Sequence, residues 1–568
     1  MKPRAKKNSP SNWQRDALYM GFLLVLCGVL FFSMPGLRSL YETDEARYAE
    51  IAREMLVTGD WVTPHLNYVK YFEKPPLTYW LVAISFKLFG VSDASARFVP
   101  MFFGTLTVLL CFLLGRSLWD ARSGLWGGAV LATSLMFLLL SRVLLVDMVL
   151  CFGIVLAVYG AWQTRQKTKH GVYAFWVGLA AAFLSKGLLG PGLVVLHVVI
   201  YCALSREWDL IKRLADYKAM GLCALLTLPW VIWVSLVNPE FFQFFFIDEH
   251  LGRLLTDRQQ RQEPVWYYLP ILPAALFPWV TLFPWGLKTL WPGKANLLKP
   301  PHRSWLFVTV WAVWFFSFLS ISSSKMLHYI LPVLPPLGLL MGRALALVKG
   351  WKPGAETQAG LRRGLVGLSV VALAAGLALP LVPALNPDIT FDHLGGLLIV
   401  GPCLATALAV VIYLMRKKLI YAVAAPLSVL LILLVVVAIG APQLDDYRSV
   451  KGLVKPLRQV LTKSDILANY GDYYHGTVFY GERRVLVADN WGELDFGRRH
   501  TSDTSDWFIK KDADFLRFLQ NPKRRVFVVA EIGAYKRLDK MAHGVPGLLL
   551  FKLKTLGDKV LFSNRPLN

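Results

Sequence analysis

The chain has 568 residues, of which 55% are hydrophobic and 17% charged, and a mean hydropathy of +0.47. That balance excludes a soluble globular protein and a disordered chain and points to a membrane protein. The net charge of +24 suits nucleic-acid binding, contact with anionic lipid, or basic loops between membrane spans, so the location of the positive residues decides. Six cysteines (Cys27, Cys111, Cys151, Cys202, Cys223, Cys403) lie in apolar runs without CxxC spacing, which argues against a disulfide framework or a thiolate zinc site.

A basic start (Lys2, Arg4, Lys6, Lys7, Arg15) precedes the apolar run Ala17 to Leu37, and no A-x-A site closes it. It reads as an uncleaved first span with a cytoplasmic N-terminus. Further spans of roughly 17 to 25 residues fall near 97–115, 124–141, 148–164, 171–185, 189–205, 219–237, 266–287, 304–321, 328–347, 364–384, 395–415 and 419–440, about thirteen in all. Pro75 to Gly90 is apolar but short, opens on Pro75-Pro76 and contains Lys87, so it reads as an interfacial helix. The cytoplasmic loops then hold about 25 Lys/Arg against about 6 acids, as the positive-inside rule asks. Counting Pro75 to Gly90 as a span would put those basic clusters outside. The positive balance is topological, and nucleic acid is not expected as a partner.

Residues 1–440 thus form a membrane domain with a long first extracytoplasmic loop (37–96). Residues 441–568 form a second domain outside the cytoplasm. There, apolar runs at Asp465–Tyr470, Arg484–Ala488, Arg525–Ala530 and Gly547–Leu553 alternate with amphipathic stretches at Ser449–Leu461, Asp512–Leu519 and Ala534–Met541. This is the pattern of a small α/β domain. No G-x-G-x-x-G or P-loop occurs in it, so no nucleotide cofactor is expected.

With this topology the ionisable residues outside the cytoplasmic loops collect at one interface. In the first loop, Asp44 and Arg47 lie three apart on a helical stretch with Tyr48 beside them, so carboxylate and guanidinium can share a cleft. An N-capped surface helix, with Glu45 near the dipole's positive end, explains the same residues. Asp147 stands at the mouth of an apolar helix, where a carboxylate is costly unless paired, with Arg142 as one partner, or functional. Lys74, Arg253, Lys325 and Tyr329 can form a cationic pocket for phosphate at the membrane boundary, although each alone also reads as a snorkelling side chain. Glu249-His250 with Glu73 is a weak signal for a divalent metal ion.

These residues carry a resemblance. Glu42-Thr43-Asp44-Glu45-Ala46-Arg47-Tyr48-Ala49-Glu50-Ile51, Arg53-Glu54-Met55, Gly59-Asp60-Trp61, Pro64-His65 and Tyr71-Phe72-Glu73-Lys74-Pro75 resemble the polyprenyl-phosphate-dependent membrane glycosyltransferases that include protein O-mannosyltransferases, and most closely the bacterial lipid A aminoarabinose transferases. Weaker echoes run through Asp147, Lys186-Gly187, Glu249-His250-x-x-Arg253 and Ser324-Lys325-x-x-x-Tyr329 to about residue 345. Two departures stand out: Pro76-Leu77-Thr78-Tyr79-Trp80 looks common to the broader family, and no histidine directly precedes Pro264. The resemblance implies a GT-C-type polytopic helical fold with a C-terminal soluble α/β domain in the bacterial inner membrane, acting as a monomer. It implies inverting transfer of 4-amino-4-deoxy-L-arabinose from undecaprenyl phosphate to lipid A, which confers resistance to cationic peptides. It assigns Asp44 and Asp147 to catalysis, and Lys74, Arg253, Tyr329, Lys325 and Arg47 to the donor phosphate. Glu45, Tyr48, Tyr71 and Lys186 fall to substrate contact, and Glu73 with His250 to a metal ion. Another sugar or acceptor is the nearest alternative. A lipid or sugar transporter is the alternative of another class, although neither internal repeats nor paired broken spans are evident.

Overall fold

The computed structural model describes residues 12–252, 263–293, 296, 298–348, 355–378, 445–521 and 524–566. The expected spans near 395–415 and 419–440, and residues 379–384 of the one before them, lie outside the described residues. The membrane part comprises α1 (Asn12–Phe31), α2 (Asp44–Thr58), α3 (Leu77–Phe89), α4 (Asp93–Leu118), α5 (Ala121–Ala132), α6 (Leu135–Leu140), α7 (Val146–Arg165), α8 (Gly171–Lys186), α9 (Leu189–Ser205), α10 (Asp209–Leu214), α11 (Tyr217–Val237), α12 (Tyr268–Ala275), α13 (Phe283–Leu290), α14 (Arg303–Ile321), α15 (Leu334–Ala346) and α16 (Ala355–Ala378). Among the described residues six helical stretches are long and apolar enough to cross a bilayer, and three shorter apolar helices accompany them.

Two expected spans are not continuous helices. The 124–141 stretch divides into α5 and α6 at Thr133-Ser134, where the Thr133 hydroxyl turns back to the Ala129 carbonyl and accepts from the Trp279 indole at 2.9 Å. The 266–287 stretch bends by 98° between α12 and the segment Trp279–Leu290. Pro278, which has no amide hydrogen to continue the ladder, stands at that break.

Polar links divide the bundle into two ends. At one, Asp16 meets Arg116, Asp120 meets Arg343, and Glu207 takes Arg165 and Arg303. At the other, Glu45 takes Arg38 and Arg97, and Asp147 takes Lys186. Between them α7 and α8 pack backbone to backbone, because small residues line the seam. A Cβ on Gly178 would lie 2.3 Å from the Ala157 nitrogen, and one on Gly160 2.2 Å from the Phe175 nitrogen. Small residues of this kind let membrane helices approach closely.

Helix α3 begins and ends at the second end. The Leu40 amide, before it, donates to Asp93, after it, at 3.2 Å, and Glu45 pairs with Arg97 at 2.9 Å. Its thirteen residues lie beneath the C-terminal domain, with Phe86 against Phe479. The segments that flank residues 75–90 are thus joined at this end of the bundle, and α3 is shorter than the six helical stretches long enough to cross a bilayer.

Residues 445–566 build a six-stranded sheet from β3 (Ile466–Tyr470), β4 (Leu486–Ala488), β5 (Phe508–Ile509), β6 (Val526–Glu531), β7 (Phe551–Leu556) and β8 (Lys559–Ser563). The two-residue strands β1 (His65–Leu66) and β2 (Val69–Lys70) form a hairpin in the first loop. The large sheet has the order β5-β4-β3-β6-β8-β7, with β5, β4, β3 and β6 parallel and β8 and β7 antiparallel. Its helices are α17 (Lys451–Val454), α18 (His475–Gly481), α19 (Leu494–His500), α20 (Asp512–Gln520) and α21 (Ile532–Ala542). This domain sits on the first loop. Asn67 exchanges two 2.8 Å hydrogen bonds with the Val485 backbone, Lys451 pairs with Asp93 at 2.6 Å, and the Tyr480 hydroxyl donates to Asp93.

Candidate active site

The seam between α7 and α8 places Asp147 in the first turn of one helix opposite Lys186 in the last turn of its antiparallel neighbour. Both charges sit at the helix end whose dipole favours them. Lys186 Nζ lies 2.6 Å from Asp147 Oδ1, and His328 Nε2 lies 3.5 Å from Oδ2. Asp147 is therefore paired, but not with Arg142, whose guanidinium donates to the Leu30 and Ser33 carbonyls at the end of α1. Lys186 also lies 4.0 Å from the Tyr329 ring centroid, an arrangement that ties α8 to the turn before α15 through a cation–π contact.

A cavity of about 470 Å³ opens beside this pair, lined by Glu73, Lys74, Lys186, Glu249, Ser322, Ser324 and Tyr329 on its polar side and by Leu188, Leu189, Leu193, Leu196, Phe246, Ile247, Phe318 and Leu319 on its apolar side. The apolar wall belongs largely to α9 and α14. The form suits an amphiphile, with a chain against the leucines and an anionic head against Lys74 and Lys186. Glu73 and Glu249 share this wall and are carboxylates that a cation could use. Among the described residues no cluster of three or more His, Cys, Asp or Glu side chains forms, and the His250 side chain lies outside them. Arg253, expected to hold the phosphate, also lies outside the described residues.

Asp44 stands at the start of α2 and pairs with Arg47, which in turn pairs with Glu493 of the C-terminal domain. Arg47, expected on the donor phosphate, thus has its terminal nitrogens committed to two carboxylates. Tyr48 packs between Arg47 and Tyr79, within electrostatic reach of Asp44, Asp147 and Glu73. The Tyr71 and Tyr79 hydroxyls and Arg47 Nε have no hydrogen-bonding partner among the described residues. Burial pushes the Tyr48 and Tyr71 phenols up, so they stay protonated and can donate to a sugar.

Two expected residues stand elsewhere. Glu45, assigned to substrate, is 2% exposed, and its carboxylate accepts from Arg38, Arg97 and the Tyr41 and Leu144 amides. Burial alone would raise this carboxyl, but Arg97 and then Arg38 hold it down to about 2. It clamps the first loop to α4 and leaves no lone pair for a ligand. Lys325, assigned to the phosphate, is buried and donates to the Glu263 carbonyl at 2.7 Å. Its neighbours Ser324 and Tyr329 line the cavity instead.

The sequence reading missed Glu493 and His475, which come from the domain read only as a basic α/β unit. Their one signal is position, since His475 follows the C-terminal end of a parallel strand, where such folds place ligand contacts.

A polytopic helical membrane protein with a charge-lined cavity and a docked α/β domain defines the class. The sequence profile described as dolichyl-phosphate-mannose-protein mannosyltransferase matches residues 26–245. The undecaprenyl phosphate-α-4-amino-4-deoxy-L-arabinose arabinosyl transferase of Pseudomonas aeruginosa is 33% identical over 399 residues, covering 68% of this chain and 70% of that one. The chain belongs to this arabinosyl transferase family. A similarly named enzyme of Pseudomonas fluorescens is 35% identical over 364 residues, which span 62% of this chain and just under two thirds, 63%, of that relative. The crystal structure of ArnT from Cupriavidus metallidurans bound to undecaprenyl phosphate is 26% identical with a TM-score of 0.80, covering 98% of this chain and 99% of that one.

Proposed function

We propose that this chain transfers 4-amino-4-deoxy-L-arabinose from undecaprenyl phosphate to a phosphate of lipid A. Its site faces the periplasmic side of the inner membrane, in a fold of about thirteen spans with a cytoplasmic N-terminus. The observation that carries the reading is the cavity, which joins an apolar wall to a charged mouth that holds Lys74 and Lys186, in a chain related to enzymes named for this donor.

In the transfer the bond between the sugar's anomeric carbon and the donor phosphate oxygen breaks, its electron pair leaves with undecaprenyl phosphate, and an acceptor phosphate oxygen bonds to the carbon from the opposite face. Lys74 and Lys186 neutralise the charge that develops on the leaving phosphate, where a low-dielectric surround strengthens each contact. Ser324 and Tyr329 supply hydroxyls beside them. A phosphate acceptor is already ionised at neutral pH, so Asp44 and Asp147 orient the reactants and stabilise the oxocarbenium-like centre without removing a proton. A divalent ion, if the enzyme uses one, would draw on Glu73 and Glu249 at the same wall.

The test is mass spectrometry of lipid A from a host that makes the donor but lacks its own transferase. The expected result is a gain of one aminoarabinose, lost in Asp44→Asn and in Lys74→Ala while both proteins remain folded in the membrane. Full activity in both variants would remove the first loop from the mechanism, and no gain with folded wild-type protein would redirect the search to another sugar or acceptor.

A further inference from the structure

The parallel sheet of the C-terminal domain has its switch point between β3 and β6, because β4 lies on one side of β3 and β6 on the other. In doubly wound folds the crevice beyond the strands' carboxyl ends at that point takes the ligand. Here the chain leaving β3 enters α18 and meets the first loop. The Gly476 amide donates to Glu42 Oε1 at 2.8 Å, and His475 Nδ1 lies 3.5 Å from Glu42 Oε2. His475 Nε2 meets Glu493, Glu493 meets Arg47, and Arg47 meets Asp44. The result is an alternating chain of Glu42, His475, Glu493, Arg47 and Asp44 that runs from the α/β domain to the first-loop carboxylate. His475 is 4% exposed.

We propose that Glu493 and His475 are positioning residues that set the orientation of Asp44 through Arg47, so that the C-terminal domain completes the transferase site. The proposal rests on the reading of Asp44 as a catalytic group. A guanidinium is a rigid planar fork. With Glu493 on Nη1 and Asp44 on Nη2, the plane of Arg47 is fixed, and the Asp44 carboxylate is held by one nitrogen only. Without Glu493 the fork is free to close on Asp44 with both nitrogens, which turns the carboxylate and neutralises it. His475 keeps Glu493 in place, and Glu42 keeps His475. The other groups around Arg47 are the Tyr48 ring and the Tyr71 and Tyr79 hydroxyls, none of which supplies a compensating carboxylate. The domain has separate anchors in Asn67–Val485 and Asp93–Lys451, so losing Glu493 leaves it docked.

The experiment compares purified full-length Glu493→Ala, Glu493→Gln, His475→Gln and Lys451→Ala in steady-state transfer. A misplacement of reacting groups of roughly 1 Å can cost about a hundredfold. Glu493→Ala is expected to lower kcat by about tenfold to a hundredfold with donor KM unchanged, because the donor cavity does not include this chain of charges. Glu493→Gln, which keeps an acceptor for Arg47, and His475→Gln, which keeps a donor for Glu493, lose less than Glu493→Ala. Adding Glu493→Ala to Arg47→Ala costs nothing further. Lys451→Ala weakens docking elsewhere and leaves kcat intact. Hydrogen exchange of the peptide covering 42–58 gives a readout independent of turnover, faster in Glu493→Ala and unchanged in Lys451→Ala. Unchanged kcat and exchange in Glu493→Ala would overturn the proposal, as would an equal loss in Lys451→Ala. If Asp44→Asn retains transfer, the catalytic reading fails by itself, while the exchange comparison still decides whether Glu493 holds the first loop.

Discussion

Asp44 and Glu45 are neighbours in the chain with opposite fates. Successive helix residues point about 100° apart, so Asp44 faces the site at one-third side-chain exposure while Glu45 turns inward to Arg38 and Arg97. The more deeply buried acid is therefore structural, and Asp44, partly exposed and held by Arg47 alone among the described ion pairs, keeps one face open. Glu45→Gln would leave the buried Arg97 and the partly buried Arg38 short of a counter-charge, which costs about 3 to 5 kcal/mol, and we expect a clear drop in melting temperature. The sign with pH follows from the carboxyl being held down to about 2 from an ordinary 4.5. The clamp's stabilisation is full above about 4.5 and is lost as pH falls toward 2. Melting curves between pH 6 and pH 3 should show wild type losing stability while Glu45→Gln, already without the charge, changes less.

At the scale of elements, the meeting of Asp147 with Lys186 depends on a seam that neither residue touches. Gly178 lies two turns from Lys186, yet a Cβ there would sit 2.3 Å from the Ala157 nitrogen and 2.7 Å from the Gly153 carbonyl oxygen. Those are backbone atoms and cannot swing aside. Gly178→Val should push α7 and α8 apart at an overpacking cost of roughly 1 to 3 kcal/mol and weaken transfer through the Asp147–Lys186 pair, seen as lower kcat in protein that still inserts. Helix α3 has its own test. Lys87, exposed near its end, and Gln520, exposed on the α/β domain, should both react as cysteines from one side of the membrane. Labelling of the two from opposite sides would make α3 a span. The apolar content of α3 resembles a crossing helix, and only its length, Pro75-Pro76 and Lys87 argue otherwise in the sequence.

For the whole molecule, what the sequence discloses follows from what is periodic in it. Apolar runs mark α4, α7, α11 and α14 because lipid demands a continuous stretch, and Ile466–Tyr470 and Val526–Glu531 are readable because parallel strands are apolar on both faces. Pro278 is a local signal for the break beside it, whereas the division of α5 from α6 is accompanied by a tertiary contact, Trp279 on Thr133, which no local pattern records. The site divides in the same way. Its first-loop half is a compact motif, whereas its other half, His475 and Glu493, lies 431 and 449 residues beyond Asp44 and becomes part of the site only when the α/β domain docks. That docking carries a pH signature. Burial alone would lower the His475 imidazolium, but Glu493 and Glu42 outweigh it and raise it to about 9 from an ordinary 6.5. A raised folded-state value means stabilisation that is complete below about 6.5 and lost as pH climbs through 9. The carboxylates it bridges then repel each other across the interface, and Arg47 remains the cation nearest Glu493. Protease cleavage between the membrane and α/β parts should therefore accelerate from pH 7.5 to pH 9.5 in wild type. In His475→Gln, which carries no titrating charge, the rate should be higher at pH 7.5 and nearly flat across the same interval, and a parallel rise in both proteins would assign the effect to other groups.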